Sequence, residues 1–501
     1  MNIKEAKDQI ENALSVYSEK DNHGHYAVPK EKQRPIFLVG PPGIGKTAIM
    51  EQIAHEMQLP LLCYSMTHHT RQSALGLPFI TTKEYNGTPY SISEYTMSEI
   101  IAAVYDMQAK SGVQEGILFL DEINCVSETL APIMLQFLQY KVFGRYSVPD
   151  GWMIVTAGNP PEYNDSVRPF DVATLDRLKR ISVEPDYQTW KEYAYSVGIH
   201  QSILSYLDIK KDRFYFVKAT LDWKKFVTAR GWEDLSIMLR MYEKKQLKVD
   251  IKLIGQYLQD EDTTRDFAIY YDLFCKYQDD YQVESILRGN VRQEVKDRAI
   301  NAAFDERLLL ISLLLSALDA DIQAALWQES ITRDFKATLQ QVIAALQQPD
   351  TDAEKVLSEL IAQKKKTYKE RTDVGTLSKT DRDHLLDLIS LLEECASLVR
   401  CCTSTADMRN KLKAKYSGEV EKLKGQVQKA SIELTSCFQF CEEIFGDGQE
   451  MLVLVTELTL NSYSATYISH YGCDEYYKHN KNLQFYERQK EINKLLNDVN
   501  L

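Results

Sequence analysis

The octapeptide GPPGIGKT, Gly40 to Thr47, constrains this chain more than any other stretch of its sequence. It follows the apolar run Ile36–Val39 and opens a helical pattern at Thr47, the strand–loop–helix context of a phosphate-binding loop. Gly40, Gly43 and Gly45 lack a Cβ, so the main chain can wrap closely and aim N–H groups at phosphate oxygens. Pro41, Pro42, Ile44 and Ala48 complete the expected nucleotide-binding stretch, and the helix N-terminus adds its positive dipole. Lys46 places a cation on the β- and γ-phosphates, and the Thr47 hydroxyl suits Mg²⁺.

Around this loop, residues 1–200 alternate short apolar runs with helical patterns. The strand candidates are Ile36–Val39, Leu61–Ser65, Ile117–Leu120, Met153–Ala157 and Arg180–Val183. Such alternation predicts βαβ units and a mostly parallel sheet covered by helices. Pro78–Ser93 breaks the rhythm with two strand-like runs around Asn86-Gly87, the strongest short hairpin signal. Lys141–Pro149, with Gly144 at its turn, predicts a second hairpin.

Two further segments carry candidate chemistry. GILFLDEIN, Gly116 to Asn124, is an apolar strand ending in two carboxylates about 75 residues after the loop. Asp121 suits the Mg²⁺ site through water, and Glu122 suits a general base that polarises the attacking water. In WMIVTAGNP, Asn159 follows the fourth strand, where a neutral amide can orient that water without quenching Glu122. Read alone, the two acids are solvated residues at a strand end, and Asn159 before Pro160-Pro161 is a turn residue.

At 501 residues the chain is too long for one ordinary core. Residues 1–190 read as the nucleotide-binding α/β domain and residues 191–290 as a mainly helical region. Within the latter lie a strand-like pair, Phe214–Ala219 and Lys225–Thr228, and a helix over 232–245. From about residue 291 to 501 Gly and Pro nearly vanish, which predicts an all-helical region with polar breaks at Gln348–Ala353 and Arg371–Arg382. Met408, Leu412, Tyr416, Val420, Leu423 and Val427 form one apolar stripe on a long helix. Leu308–Leu318 is the most apolar run, too short to span a bilayer and read as a buried core helix. The net charge of −13 disfavours non-specific binding to nucleic acid or an anionic membrane. Nine scattered cysteines fit no disulfide framework, and MNIKEAKDQIENAL reads as an amphipathic helix rather than a signal peptide. A cytoplasmic, membrane-free location is expected.

GPPGIGKT, LFLDEINCVSETLAPIMLQFL, VTAGNPPEYN, VATLDRLKRI and TARGWEDLS together resemble an AAA+ ATPase of the MoxR-like branch, in the group with an insert in the second helix. Their order is similar to that family's Walker A, Walker B, sensor 1, arginine-finger and sensor 2 segments, over about residues 35–245. The resemblance implies a P-loop α/β core, a parallel sheet flanked by helices, with an α-helical lid. It also implies ATP and Mg²⁺ as cofactors, with Thr47 and Asp121 at the metal, and an ATP hydrolase activity. Residues 78–93 fall at the family's helix-2 insert, and 141–149 at its hairpin before sensor 1. The resemblance makes Arg177 the finger that reaches the γ-phosphate of a neighbouring subunit, with Lys179 and Arg180 as rivals. A finger supplied in trans is worth about 10³–10⁵ in rate. Arg230 matches sensor 2, where it would couple lid angle to nucleotide state. Split sites imply a homo-hexameric ring, and family members act with a separate partner bearing a von Willebrand factor A domain. The long all-α region over 291–501 departs from the family's short ending.

The function expected is therefore ATP-driven remodelling of, or chaperone-like action on, protein partners. A nucleic-acid-directed or GTP-dependent restriction-type motor shares the same loop logic, and so does a scaffold that binds ATP without turnover. Two other clusters stand apart. His68-His69 are loop residues or, less readily, metal ligands. Cys437, Cys441, His470, Cys473 and His479 could build a zinc site, but their spacing fits no standard pattern and small core residues are the alternative. Cys401-Cys402 read the same way, and the aromatic stretch Tyr463–Tyr486 reads as packing or a contact surface.

Overall fold

Four consecutive apolar residues make Ile36–Val39 a strand buried on both faces, and the rest of the sheet assembles around it. The computed structural model describes residues 1–163, 167, 168, 170–219, 224–345, 353–374, 377–400, 402 and 404–480. They group into two compact units. The first holds Met1–Thr189, Thr228–Arg230 and Gln363–Leu385. The second holds Trp190–Val227, Gly231–Ala362 and the described residues from Leu386 onward.

The first unit runs α1 (Ile3–Ser18), β1 (Ile36–Val39), α2 (Lys46–Glu56), β2 (Leu61–Ser65), α3 (Arg71–Leu75), β3 (Pro78–Tyr85), β4 (Thr88–Tyr95), α4 (Glu99–Ser111) and β5 (Gly116–Asp121). It continues with α5 (Ala131–Tyr140), β6 (Val142–Phe143), β7 (Tyr146–Ser147), β8 (Trp152–Gly158), α6 (Val172–Leu175) and β9 (Lys179–Ser182). Five strands form one parallel sheet in the order β2–β5–β8–β1–β9. β5 and β8 are buried almost throughout, as strands covered on both faces must be. Both predicted hairpins form. At the first, Asn86 and Gly87 have φ of 51° and 79°, which a two-residue turn between twisted strands requires.

The parallel register decides what gathers at one edge. Val39 pairs with Gly158, Leu120 with Thr156, and Ser65 with Asp121. The carboxyl ends of β1, β2, β5 and β8 therefore lie side by side, and the residues just past them share one crevice.

The second unit begins within α7 (Tyr187–Val197) and adds α8 (Gln201–Ile209), β10 (Phe216–Ala219), β11 (Lys224–Val227), α9 (Ala229–Lys244, from Gly231), α10 (Ile251–Tyr257), α11 (Glu261–Tyr281), α12 (Val283–Leu287) and α13 (Gln293–Asn301). The long helices follow: α14 (Phe304–Ala345), α15 (Ala353–Val374, as far as Ala362), α16 (Lys379–Arg400, from Leu386), α17 (Thr405–Phe445), α18 (Gln449–Leu460) and α19 (Ser462–Tyr471). By length and composition α14 could cross a membrane. In this fold its Leu309, Leu310, Leu313 and Leu314 are buried against α17 and α18 through Leu434, Phe438 and Leu454. The predicted stripe falls on α17, where Leu412 is buried and Met408 and Tyr416 pack beside Phe335 and Leu392. The break at 348–352, Cys401 and residues 481–486 of the aromatic stretch lie outside the described residues. Tyr467 of that stretch is a core residue, bonded to the Val427 carbonyl.

Gly116 shows how tightly the sheet is packed. A Cβ there would come 2.7 Å from the buried Trp152 ring. Gly116→Ala should lower the unfolding free energy by about 1–3 kcal/mol. Urea unfolding followed by Trp fluorescence checks this, and an unchanged midpoint would refute it.

Candidate functional site

The loop after β1 is shaped by what surrounds it. Gly40 leaves no room for a side chain, since a Cβ would meet Val183 O and the Ile44 side chain, each at 2.7 Å. Gly45 begins α2 with φ 95°, a conformation glycine adopts without a steric penalty. The turn of the loop is approached by Thr228–Arg230. Thr228 packs on Gly43, and the Arg230 N–H donates to Gly43 O at 3.2 Å.

Lys46 is the unusual member of this loop. It is 8% exposed, and its Nζ donates to Gly40 O at 2.7 Å, Pro41 O at 2.9 Å and Asn159 Oδ1 at 2.9 Å. All three acceptors are neutral. Burial pushes its pKa down to about 8, with Asp121 and Glu122 opposing and Arg230 adding to the fall. A buried cation held only by carbonyl-type oxygens is a charge without its counter-ion, and an anion placed here would supply it.

The carboxylates take different positions. Asp121 Oδ2 accepts from Thr47 Oγ1 at 3.2 Å, and Oδ1 accepts from the Glu122 N–H at 2.8 Å. These two oxygen donors are the hard, small set that suits Mg²⁺, which takes few protein ligands and keeps its waters. Glu122 is in the left-handed region, φ 56° and ψ 35°, a conformation disfavoured for a residue with a Cβ. Its Oε2 accepts from Ser65 Oγ at 3.1 Å and Thr67 Oγ1 at 2.8 Å. Ser65 and Thr67 had no signal in the sequence. They reach Glu122 only because β2 pairs with β5 in the register Ser65 to Asp121.

Asn159 leaves β8 beside the loop, where Gly40 N donates to Gly158 O at 3.3 Å. Lys46 can only donate, so the Asn159 amide must turn its oxygen toward it, which leaves Nδ2 free to point elsewhere. The structure thus brings Lys46, Thr47, Asp121, Asn159 and Arg230 to one crevice, with Glu122 at its rim. Arg177 is not part of that group. It follows α6, is exposed, donates its N–H to Thr174 O, and acts by charge on Asp171. Among the described residues no hydrogen bond or ion pair joins its guanidinium to the loop. Of its rivals, Lys179 Nζ is tied to Gln9 O and Arg180 lies within β9.

His69 bonds Ser73 and stacks edge-on against Tyr64. Cys437 and Cys441 are buried in the helical core, and a hydrogen bond with Cys441, together with burial, pushes the Cys437 thiol far up. Among the described residues no group of three or more His, Cys, Asp or Glu is placed to hold a metal ion.

Residues 35–178 match the family model described as AAA domain (dynein-related subfamily). That match supports an AAA+ ATPase domain, and with it nucleotide binding at a P-loop. A search of the curated proteins finds no match.

The buried ammonium gives a pH signature. Its folded pKa of about 8 lies below the ordinary 10.5, so the free protein loses this charge as pH rises past 8. An anion favours the charged form, so affinity is full below about pH 8. Above it, affinity falls by up to about tenfold per unit. Titration with fluorescent ADP without metal from pH 7 to 9.5 measures this, and Lys46→Arg, which stays charged, should give a flat profile. A flat profile in the parent protein would contradict it.

Proposed function

We propose that this chain is an ATP-hydrolysing AAA+ machine of the MoxR-like kind, which couples Mg·ATP turnover to remodelling of protein partners. The observation that carries the reading is Lys46, a buried cation with neutral partners beside paired Thr47 and Asp121, with Glu122 at the rim.

The residues divide the work as follows. The main chain of Gly40–Thr47 and the Lys46 ammonium bind the triphosphate. Bound at Thr47 and Asp121, Mg²⁺ would neutralise charge developing on the phosphates. Glu122 takes the proton from the attacking water, and Ser65 and Thr67 set its direction. Asn159 offers its Nδ2 to that water while Lys46 holds its oxygen. Arg230, at the start of α9 and on the Gly43 carbonyl, reports the state of the loop to the helix it opens.

Arg177 is exposed and outside its own crevice, which suits a finger offered to a neighbouring protomer. That exposure supports a ring of identical chains as the active form, which mixing variants tests. A cytoplasmic location and a separate partner with a von Willebrand factor A domain complete the proposal. The acidic balance supports protein over nucleic-acid substrates.

Turnover in Glu122→Gln should drop by about 10²–10⁴ while ATP binding persists. Phosphate release and equilibrium nucleotide binding, measured together, check it, and equal rates in parent and variant would remove the enzyme claim. Lys46→Ala and Arg177→Ala should each be inactive alone. Mixed, they should regain part of the parent rate, because one protomer supplies the loop and the other the finger. Mixtures with no recovered activity would sink the shared site, and stimulation by DNA would favour a nucleic-acid motor.

A further inference from the structure

Asn124 lies two residues past Glu122, in the short turn Ile123–Cys125 that follows β5. Its side chain is 6% exposed. Three neighbours define its place. Its Nδ2 donates to the main-chain oxygen of Asn159 at 2.8 Å. Its own main-chain oxygen accepts from the N–H of Arg168 at 2.9 Å, in the segment that leads to α6 and Arg177. Its amide also lies against Gly158, where a Cβ would come 2.4 Å from Oδ1 and 2.7 Å from Cγ.

The chemistry of the amide narrows the explanation. Oδ1 is buried and has no hydrogen-bond donor among the described residues. An amide with one unpaired buried atom is a costly way to fill space, and an apolar side chain of similar volume would do so more cheaply. What the amide supplies that an apolar group does not is the single N–H bond to Asn159. Gly158 fits the same account, since any larger residue there would push that amide away.

We propose that Asn124 is a positioning residue for the reaction. Its side chain fixes the Asn159 loop, its main chain holds Arg168, and its place in the chain sets both relative to Glu122. Asn124 touches no reacting atom and acts through Asn159. The proposal rests on the ATPase reading above and adds to it a joint between groups that come from separate loops. Displacing a catalytic group by about 1 Å can cost about 10²-fold in rate, so a joint of this kind would show in kcat.

The test compares the parent with Asn124→Asp, Asn124→Ala, Gly158→Ala and the double variant Asn124→Ala/Gly158→Ala, each as the full chain. Asn124→Asp keeps the volume but sets one acceptor against another. Gly158→Ala leaves Asn124 intact and displaces it. Each single variant should lose about 10- to 100-fold in kcat, with KM for ATP and ADP affinity within about threefold of the parent. Retained ADP affinity also reports that the site is folded. The double variant should match Asn124→Ala and fall no further, since the added methyl enters space the amide has left. Parent-like kcat in Asn124→Asp and Gly158→Ala would overturn the proposal. So would a parallel loss of ADP affinity, which marks a general structural role. If the parent itself binds ATP without hydrolysing it, the ATPase reading fails and this inference falls with it. If the parent hydrolyses ATP and the variants do so equally well, only the inference falls.

Discussion

The site is organised by one buried ammonium. Lys46 is buried, and the protein answers its charge with three neutral oxygens rather than a carboxylate. Had Asp121 or Glu122 closed a direct ion pair with it, a phosphate would have to break that pair to bind. Instead Asp121 engages Thr47 and the Glu122 N–H, and Glu122 engages Ser65 and Thr67. Each acid is held a step away from the cation, so the cation keeps its demand for an anion. The depressed pKa of Lys46 expresses that unmet demand.

This arrangement depends on strand order more than on any single residue. β8 lies between β5 and β1, so Asn159 emerges beside the loop and the acids emerge one strand further out. β2 on the far side of β5 contributes the hydroxyls that restrain Glu122. The left-handed backbone at Glu122 turns the chain sharply after Asp121, so two adjacent acids serve different neighbours. A continued strand would have sent their side chains to opposite faces of the sheet.

Much of this was legible in the sequence because its signals are local. The strands Ile36–Val39 and Leu61–Ser65 have the bounds expected from their apolar runs, and the loop between them is defined by three glycines. β9 begins one residue earlier than its apolar pattern suggested, because its ladder follows Ile36–Val39 rather than its own hydrophobicity. α9 likewise begins at Ala229 rather than at residue 232, since its first turn is placed by the Gly43 carbonyl, a partner far away in sequence. Ser65, Thr67 and Asn124 were invisible for the same reason. A serine at a strand end and an asparagine in a turn have ordinary local explanations, and only register reveals what they touch. The grouping of helices in the second unit was also beyond local pattern, because apolar stripes on long helices name a buried face but not the partner.

The second unit carries polar ties of its own beside its apolar core. Within it, α7, α8 and α18 are joined by Lys191, which is 3% exposed and bonded to Asp208 at 2.8 Å and Glu457 at 2.6 Å. α9 is tied to the same interior. Ser236 accepts from the His200 N–H at 2.8 Å, Tyr271 bonds Glu243 at 2.8 Å, and the charge of Arg240 acts on half-buried Asp319 in α14. A buried ion pair cannot be stretched without leaving charge uncompensated, which costs several kcal/mol by the usual order of magnitude, about 3–5. Helices joined in this way move together before they slide apart.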